Sequence, residues 1–475
     1  MKLDRTTLAQ LPIPTPGYDR AAVGTGIVHF GVGGFHRAHQ AAYLDELLRR
    51  GRAPDWGICG VGVLPADRRM RDVLHAQNGL YTLVVEHPDG RRDARVIGSI
   101  LDYRYAPDDP AAVVELLTAP TTRIISMTIT EGGYRIADTD AGTSVFHSIV
   151  EALGRRRSLG IAAPTILSCD NIEGNGDAAR RAVIAQAEHS EAGLVEWILE
   201  HARFPNSMVD RITPVTTPEV IAAVSRDFAV EDAWPVTTEP FSSWVVEDDF
   251  ASGRPALDEV GVMLVGDVAP YEAMKLRLLN AGHQCLCYFA YLCGYRLVHD
   301  AVADPLIAEY LLAYFDAEAI PTLRPVPGVD LTGYTRTLIE RFGNPGTRDT
   351  VARLCADSSD RIPNWLLPVV RDNLANGRPV RLAAATVAAW ARYAEGVDER
   401  GHPIEVVDRF AASLVPLARS QHAHPSAFIE NHALFGDLAQ ASRFVEAYRW
   451  ALGSLHRRGA RATLAALLRG DSPTS

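Results

Sequence analysis

The stretch that most restricts the fold is a short apolar segment, Gly26-Ile27-Val28-His29-Phe30, which runs directly into the glycine-rich residues 31–34. Apolar residues then recur at helical spacing between 41 and 48. This order predicts a strand, a glycine turn and a helix. In such a turn the glycines lack the Cβ atoms that would keep backbone N–H groups away from a pyrophosphate. We therefore predict dinucleotide contacts at Gly31, Gly33, Gly34 and Phe35, although similar turns also occur without a nucleotide.

Alternating strand-like and helical segments continue through the first half of the chain. Strand-like runs occupy 56–63, 80–85, 94–100, 122–130, 164–169 and 204–214, and a helical stretch is predicted from about Asp177 to His201. This alternation predicts an α/β fold with a Rossmann-type doubly wound sheet. Ligands bind such sheets beyond the carboxyl ends of the strands. Two of these ends carry the predicted site residues Thr130, Glu131, Gly132 and Asn171.

An acidic residue beyond the second strand bears on the choice of cofactor. Asp67 follows the run 56–63, where a carboxylate can accept hydrogen bonds from the adenosine ribose and repel a 2′-phosphate. Arg68 and Arg69 argue the other way, since an arginine can pair with that phosphate. On balance the sequence favours NAD over NADP, with a solvated loop charge as the alternative interpretation of Asp67.

The pattern changes at Pro270, after which long amphipathic segments follow one another with few β-branched runs. Helices are predicted at about 271–298, 305–315, 346–358, 364–375, 380–396, 405–419 and 438–468. The 475 residues also exceed what one hydrophobic core usually supports. We therefore predict two domains: residues 1–269, with a proline-rich arm over 1–25, and a mostly α-helical domain over 270–475.

Three polar side chains interrupt the apolar stripe of the first helix in the second domain. Lys275, Asn280 and His283 stand at about 0°, 140° and 80° around an ideal α-helix, so they share one side of it. An amine can remove the proton of an alcohol while neutral donors hold the oxygen as negative charge develops. The trio suits an alcohol dehydrogenase with its site in the cleft between the domains. The structural alternatives are a lysine that reaches water and a packed histidine.

The net charge and the composition limit the classes of partner that the protein is expected to bind. A net charge of −11 without a basic block argues against nucleic acid and against an anionic membrane surface. The N-terminus has no apolar segment of signal-peptide length, and no run of about 18 apolar residues occurs, so the cytoplasm is the expected location. The six cysteines form no C-x-x-C pair, and we expect small buried hydrophobic residues rather than metal ligands.

Six motifs in series resemble the polyol-specific long-chain dehydrogenase/reductase family, from Gly26 to about Leu468. They are GIVHFGVGGFHRAHQ, TITEGGY, SCDN, FPNSMVDRITP, EPFSSWVVEDDF and YEAMKLRLLNAGH. The resemblance implies a metal-independent, NAD-linked oxidation of a secondary alcohol in a polyol, such as D-mannitol to D-fructose. It also implies a Rossmann-type N-terminal domain and a mostly helical C-terminal domain.

The same resemblance implies roles for individual residues. Lys275 is then the general base, and Asn171 and Asn280 hold the oxygen as it becomes alkoxide-like. His283 contacts substrate, Asp210 supports the site, and Glu272 belongs to the proton's route to solvent. Arg353 and Arg361 match positions near the polyol chain. The chemistry agrees, because a lysine must lose its proton through burial or a neighbouring cation before it can act as a base near neutral pH.

Two local patterns qualify the resemblance. The family commonly has Asn-Gly-Ser-His where this chain has Asn280-Ala281-Gly282-His283, which bears on the identity of the polyol. Tyr271 and Lys275 match the Tyr-x-x-x-Lys spacing of short-chain dehydrogenases. The serine expected about a dozen residues earlier is missing, since Asp258 and Glu259 stand there. No catalytic role is therefore assigned to Tyr271.

Three alternative functions remain open at this stage. A fructuronate or tagaturonate reductase resembles the same motifs and needs a cation for the substrate carboxylate, for which Arg353 or Arg361 would serve. A zinc polyol dehydrogenase is suggested by His36-x-x-His39, although the cysteine ligands are missing. A non-catalytic NAD sensor is the third alternative.

Overall fold

The computed structural model describes residues 1–134 and 144–471, with the side chain of Glu131 outside the described part. The chain divides into two compact units, Met1–Ala269 and Pro270–Ser475. The first unit contains strands and helices, whereas the second is built from helices.

The strands of the N-terminal unit are β1 (Thr25–Phe30), β2 (Gly57–Gly62), β3 (Tyr81–Glu86), β4 (Arg92–Ile97), β5 (Ile100–Tyr105), β6 (Ile124–Met127), β7 (Thr165–Ser168), β8 (Ser207–Asp210), β9 (Val236–Thr238), β10 (Ser243–Glu247) and β11 (Met263–Val265). Its helices are α1 (Gly34–Ala38), α2 (Gln40–Arg49), α3 (Asp67–Ala76), α4 (Pro110–Thr118), α5 (Val145–Leu159), α6 (Asn175–Ala187), α7 (Leu194–His201) and α8 (Pro218–Phe228).

A parallel sheet in the order β5-β2-β1-β6-β7 forms the centre of this unit. The central strand β1 pairs with β2 at Phe30↔Val61 and with β6 at Phe30↔Met127. Its neighbouring residues Ile27 and Val28 belong to different hydrophobic clusters, the first shared with α2 and the second with α4 and α5. Side chains alternate across a strand, so helices cover both faces of the sheet. The predicted Rossmann-type doubly wound sheet is confirmed.

Two three-stranded sheets complete the unit. β3 pairs antiparallel with β4 and parallel with β9, and β10 pairs antiparallel with β8 and parallel with β11. The run predicted at 94–100 contains the end of β4, and β5 begins where that run stops, in the main sheet. Gly98 lies between them and packs closely, since a Cβ there would come within 2.7 Å of Pro16.

The N-terminal arm belongs to the same unit. It contains two short 3₁₀ turns, Leu8–Gln10 and Arg20–Ala22. Arg20 donates to the carbonyl oxygens of Gly98 at 2.8 Å and Ile100 at 2.7 Å. The backbone N–H of Val96 donates to the carbonyl of Pro14 at 2.8 Å. The arm is therefore held by hydrogen bonds although its prolines exclude a regular strand or helix.

The C-terminal unit begins within α9 (Ala269–Met274), which continues as a π-helix over Lys275–Asn280 and then as α10 (Ala281–Leu292). The other helices are α11 (Val298–Val302), α12 (Pro305–Tyr314) with a second π-helix (Phe315–Ala319), α13 (Leu331–Phe342), α14 (Val351–Cys355), α15 (Ser358–Trp365), α16 (Leu367–Ala375), α17 (Arg381–Ala394), α18 (Ala411–Ser420), α19 (His432–Phe435) and α20 (Ser442–Leu468).

Several predicted helices are divided in the structure. The stretch from Asp177 to His201 forms α6 and α7, because Gly193 takes a left-handed conformation with φ of 77°. The helix predicted over 271–298 ends at Leu292 and contains the π turn. The helix predicted over 438–468 begins at Ser442 and is kinked at Gly459, where φ is 80°. The sequence analysis did not predict α13.

The expectation of buried cysteines is met at five of the six positions. All six cysteines are free, and five are buried, with Cys293 partly exposed. Within residues 1–134 and 144–471, no helix has the length and apolar character needed to cross a membrane.

Candidate active site

The glycine turn after β1 is shaped by its backbone. Gly31 has a φ of 86°, and a Cβ at this position would lie 2.2 Å from the carbonyl oxygen of Thr128. The strands β1 and β6 are therefore closest where only glycine fits. At Gly33 a Cβ would meet nothing nearer than the carbonyl oxygen of Gly31 at 3.9 Å. Gly33 thus leaves open space directly before α1.

This open space fits the pyrophosphate of a dinucleotide. The first residues of α1, including Gly34 and Phe35, carry N–H groups that have no acceptor within the helix. A Cβ at Gly34 would meet Thr213 only at 3.6 Å, and one at Gly132 would meet nothing within 4 Å. Of the glycines predicted to bind cofactor, Gly33, Gly34 and Gly132 therefore leave open space at the carboxyl edge of the sheet, as a dinucleotide requires.

The turn after β6 is held by a residue that sequence reasoning did not select. The two oxygens of Asp170 accept from the backbone N–H groups of Thr130 at 2.7 Å and Ile129 at 3.1 Å. Asp170 also accepts from the hydroxyl of Tyr134 at 2.7 Å. Thr130 has a φ of 62°, a left-handed conformation that a threonine rarely adopts. The buried carboxylate of Asp170 thus stabilises a strained turn beside the predicted cofactor residues.

Asp67 begins α3 and interacts with its own loop. Its Oδ2 accepts from the backbone N–H groups of Val63 at 2.9 Å and Leu64 at 2.8 Å. The neighbouring arginines are also engaged: Arg69 lies 4.5 Å above the ring of Trp234, and Arg68 faces Asp108 at 3.7 Å. Each arginine therefore already has a partner within the N-terminal unit. The contact of Asp67 with a ribose stays a prediction.

Three histidines close to the glycine turn in sequence are buried: His29 in β1, His36 in α1 and His39 directly after α1. His29 and His36 stack with ring centroids 3.5 Å apart, and His29 Nδ1 lies 2.8 Å from Ser126 Oγ. Burial lowers the pKa of His29 to about 3 and that of His36 well below its ordinary value. His39 Nε2 lies 2.9 Å from the carbonyl oxygen of Ser243. Among the described residues, no cluster suited to a metal includes these side chains.

The remaining N-terminal candidates lie at two strand ends. Asn171 is exposed just after β7, and Asp210 is buried at the end of β8. Arg211 follows Asp210 and donates to the carbonyl oxygens of Ala38 at 2.5 Å and Glu239 at 3.3 Å. Burial lowers the pKa of Arg211 to about 10. Arg211 thereby ties the end of β8 to the end of α1.

The C-terminal candidates are concentrated in one irregular helix. Lys275 begins the π-helix and Asn280 ends it, while Glu272 and His283 lie in the flanking α-helical turns. All four side chains are buried, with relative exposures between 4% and 8%. A buried lysine is rare in proteins. Because a π turn holds more residues than an α turn, the angles calculated for an ideal helix do not apply across this segment.

Asn280 has an unused donor in this helix. Its Nδ2 is buried and has no hydrogen-bond partner among the described residues. A buried amide without an acceptor is costly, so such a group indicates a ligand oxygen as its partner. Tyr271 differs, because its hydroxyl donates to the carbonyl oxygen of Pro327 at 2.9 Å. This contact agrees with the decision to assign Tyr271 no catalytic role.

His283 connects the helix to the arginines predicted near the polyol. Its ring stacks on Phe342 with centroids 4.3 Å apart. Asp349 accepts from Arg353 through both of its oxygens, at 2.6 Å and 2.5 Å. Burial raises the pKa of Asp349, but the hydrogen bonds from Arg353 outweigh it and hold the pKa below its ordinary value, aided by the nearby His283. Asp349 is a second residue that sequence reasoning missed.

Arg361 lies beside the same segment. Its Nη1 donates to the carbonyl oxygens of Arg353 at 3.0 Å and Leu354 at 3.1 Å. The structure therefore brings Arg353 and Arg361 together within the C-terminal unit. Asn171 and Asp210 belong to the other unit, and their predicted action together with Lys275 stays a prediction.

The departure at Gly282 has a packing reason. A Cβ at Gly282 would lie 2.9 Å from two ring carbons of Phe315, at the start of the second π-helix. A side chain at this position therefore requires a smaller or displaced neighbour. The ring of Phe315 thus occupies the space that a side chain at position 282 would need, directly beside Asn280 and His283.

Fold and site together define a Rossmann-type oxidoreductase with a separate helical unit that carries a buried lysine. The chain belongs to the mannitol dehydrogenase family. The model of the mannitol dehydrogenase Rossmann domain matches residues 25–259, and the model of the mannitol dehydrogenase C-terminal domain matches residues 267–456. The family predicted from the six motifs is confirmed.

Similar proteins support this membership over nearly the whole chain. A mannitol 2-dehydrogenase from Phaeosphaeria nodorum is 41% identical over 98% of this chain and 85% of its own length. The solved ternary complex of Pseudomonas fluorescens mannitol 2-dehydrogenase with NAD and D-mannitol is 42% identical, covers 99% of this chain and all of its own, and has a TM-score of 0.90. A substrate-free D-sorbitol dehydrogenase is 35% identical, covers 98% of this chain and all of its own, and has a TM-score of 0.89.

Proposed function

We propose that the protein oxidises D-mannitol to D-fructose, with NAD as the acceptor, and catalyses the reverse reduction. The broader class, an NAD-dependent polyol dehydrogenase, is confirmed by the family match and by the relatives. The predicted cofactor is confirmed in the same way, and the open glycine turn at Gly33 fits it. The preference for mannitol rests on the names of the similar proteins, and D-sorbitol is the second candidate because of the sorbitol enzyme.

One observation in the structure carries the chemical part of the proposal: Lys275 and the unpartnered amide of Asn280 are buried at the two ends of one π-helix. Burial disfavours the ammonium form of a lysine, as a general base needs. The amide N–H of Asn280 then donates to the substrate oxygen as its proton passes to Lys275 Nζ. NAD, when bound, supplies the acceptor for the hydride.

The other roles follow from the resemblance. Asn171 is proposed as a second amide donor to the oxygen, and Asp210 as a supporting group. His283 is proposed to contact a substrate hydroxyl, with Asp349 and Arg353 nearby. Glu272 lies one helical turn before Lys275 and is proposed to pass the proton onward. A cytoplasmic location, and the absence of nucleic-acid and membrane partners, stay predictions.

The contacts of Arg353 argue against a hexuronate substrate. Its guanidinium binds both oxygens of Asp349, so its charge is already paired with a carboxylate of the protein. Of the two predicted arginines, Arg361 is then the remaining candidate to pair with a uronate carboxylate. The relatives named above act on polyols by name.

The test is a substrate panel with the purified protein in EDTA. NAD reduction is measured with D-mannitol, D-sorbitol and D-arabinitol, and NADH oxidation with D-fructose and D-fructuronate. We expect the highest kcat/KM for the mannitol–fructose pair. A higher kcat/KM for D-sorbitol would replace mannitol within the same chemistry, whereas turnover of D-fructuronate alone would overturn the proposal. Lys275→Met protein serves as the control for contaminating activity.

A further inference from the structure

A second constellation of chemically active side chains lies in the C-terminal unit, on elements that do not carry Lys275. Glu395 directly follows α17, His422 lies in the turn after α18, and His456 lies within α20. They line a surface cavity of about 620 Å³. Three segments distant in sequence therefore present one carboxylate and two imidazoles at one place.

The geometry of the three side chains is close to that of a ligand set. His456 Nε2 lies 2.7 Å from Glu395 Oε1, and His422 Nε2 lies 3.7 Å from Glu395 Oε2. One donor atom from each residue lies within 4.8 Å of the others. The two imidazoles stack with centroids 4.6 Å apart and ring planes 20° from parallel.

The donor set has a definite chemical preference. Two imidazole nitrogens and one carboxylate oxygen are the three protein ligands of many tetrahedral zinc centres, whose fourth position is filled by water. Such ligands are too few and too nitrogen-rich for Ca²⁺ or Mg²⁺. His422 is 67% exposed at its side chain, whereas Glu395 is buried, so the open position faces solvent. The set therefore suits a divalent transition metal.

Four arginines line the cavity and oppose a cation, namely Arg392, Arg419, Arg457 and Arg458. Arg392 donates to Glu395 Oε2 at 3.1 Å and to the carbonyl oxygen of Val397 at 2.8 Å. Arg419 donates to the backbone carbonyl of Glu395 at 2.9 Å. Arg392 holds the carboxylate through Oε2 and Arg419 holds the backbone, which leaves Oε1 directed at His456, as an outer-shell partner fixes a metal ligand. The carboxylate of Glu399 also lines the cavity and adds a negative charge.

We propose that Glu395, His422 and His456 bind one divalent transition-metal ion, with Zn²⁺ as the expected occupant. The ion would join the end of α17, the turn after α18 and α20. Because only the folded chain brings the three ligands together, binding should raise the melting temperature. The metal-independent chemistry proposed at Lys275 is unaffected, since none of the three residues takes part in it.

The test uses the full-length protein after treatment with EDTA and removal of the chelator. Co²⁺ is titrated while visible absorption is recorded, because tetrahedral Co²⁺ absorbs strongly, and Zn²⁺ is then added to displace it. We expect one Co²⁺ per chain, displacement by one Zn²⁺, and a higher melting temperature with Zn²⁺. His422→Gln should weaken binding at least about tenfold and abolish the visible band.

His424→Gln is the matched control, because His424 is an exposed histidine two residues away that pairs with Glu430 at 2.8 Å and has no third ligand. Equal binding by the two variants, or no visible band with the unmodified protein, overturns the proposal. His456→Gln gives a second test should His422→Gln fold poorly. Oxidation of polyol in EDTA is measured separately, so the two proposals can fail independently.

Discussion

The predicted site residues of the two units are placed in different ways. At the carboxyl edge of the sheet, the predicted cofactor contacts are backbone groups placed by unusual dihedral angles, as at Gly31 and Thr130. In the helical unit, the predicted catalytic groups are buried side chains placed by a π-helix between Lys275 and Asn280. In the sheet region, access to the backbone depends on positions that lack a Cβ. In the helical unit, the predicted chemistry depends on polar side chains that are buried.

This difference determines what a substitution tests in each region. In the sheet region, adding one methyl group tests whether backbone must be approached closely by a ligand. In the helical region, removing a polar group of similar size tests chemistry with little change to the backbone. The predictions below use both kinds of change.

The largest effect is expected at Lys275. Lys275→Met keeps most of the side-chain volume and removes the amine. We expect kcat to fall about 10²- to 10⁴-fold, as for loss of a general base, while NADH affinity stays nearly unchanged. Steady-state kinetics with D-mannitol and titration of NADH fluorescence give the two values. A loss below tenfold would exclude the general-base role, and Lys275→Ala separates lost volume from lost chemistry.

The next effect is expected at Asn280. Asn280→Ala removes the buried donor Nδ2, and we expect kcat to fall about 10²- to 10³-fold, as for loss of an oxyanion donor. Asn376→Ala is the control, because Asn376 is an exposed asparagine directly after α16 whose amide donates to the carbonyl of Asp372. If Asn280→Ala raised KM alone, Asn280 would bind substrate and transition state equally well.

Much of the fold was predictable because its signals are local. The run Gly26–Phe30 and the glycines after it predicted the strand, turn and helix that the structure shows. Breaks within the predicted helices were harder to predict. The break before α7, for example, includes the left-handed Gly193 inside a continuous helical pattern. The helix α13 was missed since Gly333 and several threonines weaken its helical signal, and its stability comes from packing of residues such as the buried Phe342.

Site residues were predictable where the residue types themselves indicate the chemistry. They were not predictable where only the three-dimensional arrangement indicates it. Lys275, Asn280 and His283 were selected from one helical pattern, but the π turn between them leaves no mark in the sequence. Asp170 was not selected, because its hydrogen bonds to the turn at Thr130 are visible only in three dimensions. Asp349 was missed for the same reason. In the sequence, Asp349 and Arg353 look like any two opposite charges four residues apart.

The glycine turn offers a matched pair of substitutions. Gly31→Ala places a Cβ 2.2 Å from the carbonyl of Thr128 at a φ of 86°, so we expect a loss of at least about 1–3 kcal/mol of stability. Gly33→Ala adds a methyl group to open space, so the melting temperature should be unchanged while NADH affinity falls about tenfold. Thermal denaturation of both variants measures the change in stability, and NADH titration of both measures the change in affinity. Unchanged affinity in Gly33→Ala would show that the pyrophosphate lies elsewhere.

A smaller effect is expected where the helical unit uses a glycine. Gly282→Ser places a Cβ 2.9 Å from the ring of Phe315, so overpacking should cost about 1–3 kcal/mol. Gly282→Ser combined with Phe315→Leu should recover part of this loss, which a thermal-denaturation double-mutant cycle measures. Additive losses would show that the ring of Phe315 does not restrict this position. The polyol preference of the double variant then reports whether this volume shapes the pocket.

The smallest effect is expected at Asp67, which has both kinds of role. Its carboxylate binds the backbone of Val63 and Leu64, and it is predicted to face the adenosine ribose. Asp67→Asn keeps an oxygen for the loop and removes the charge that repels a 2′-phosphate. We expect the preference for NAD over NADP, measured as a ratio of kcat/KM values, to fall by about tenfold or less, with an unchanged melting temperature. A lower melting temperature with an unchanged ratio would mean that Asp67 serves only its own loop. That outcome would leave the engagement of Arg68 and Arg69 with Asp108 and Trp234 as the source of NAD preference.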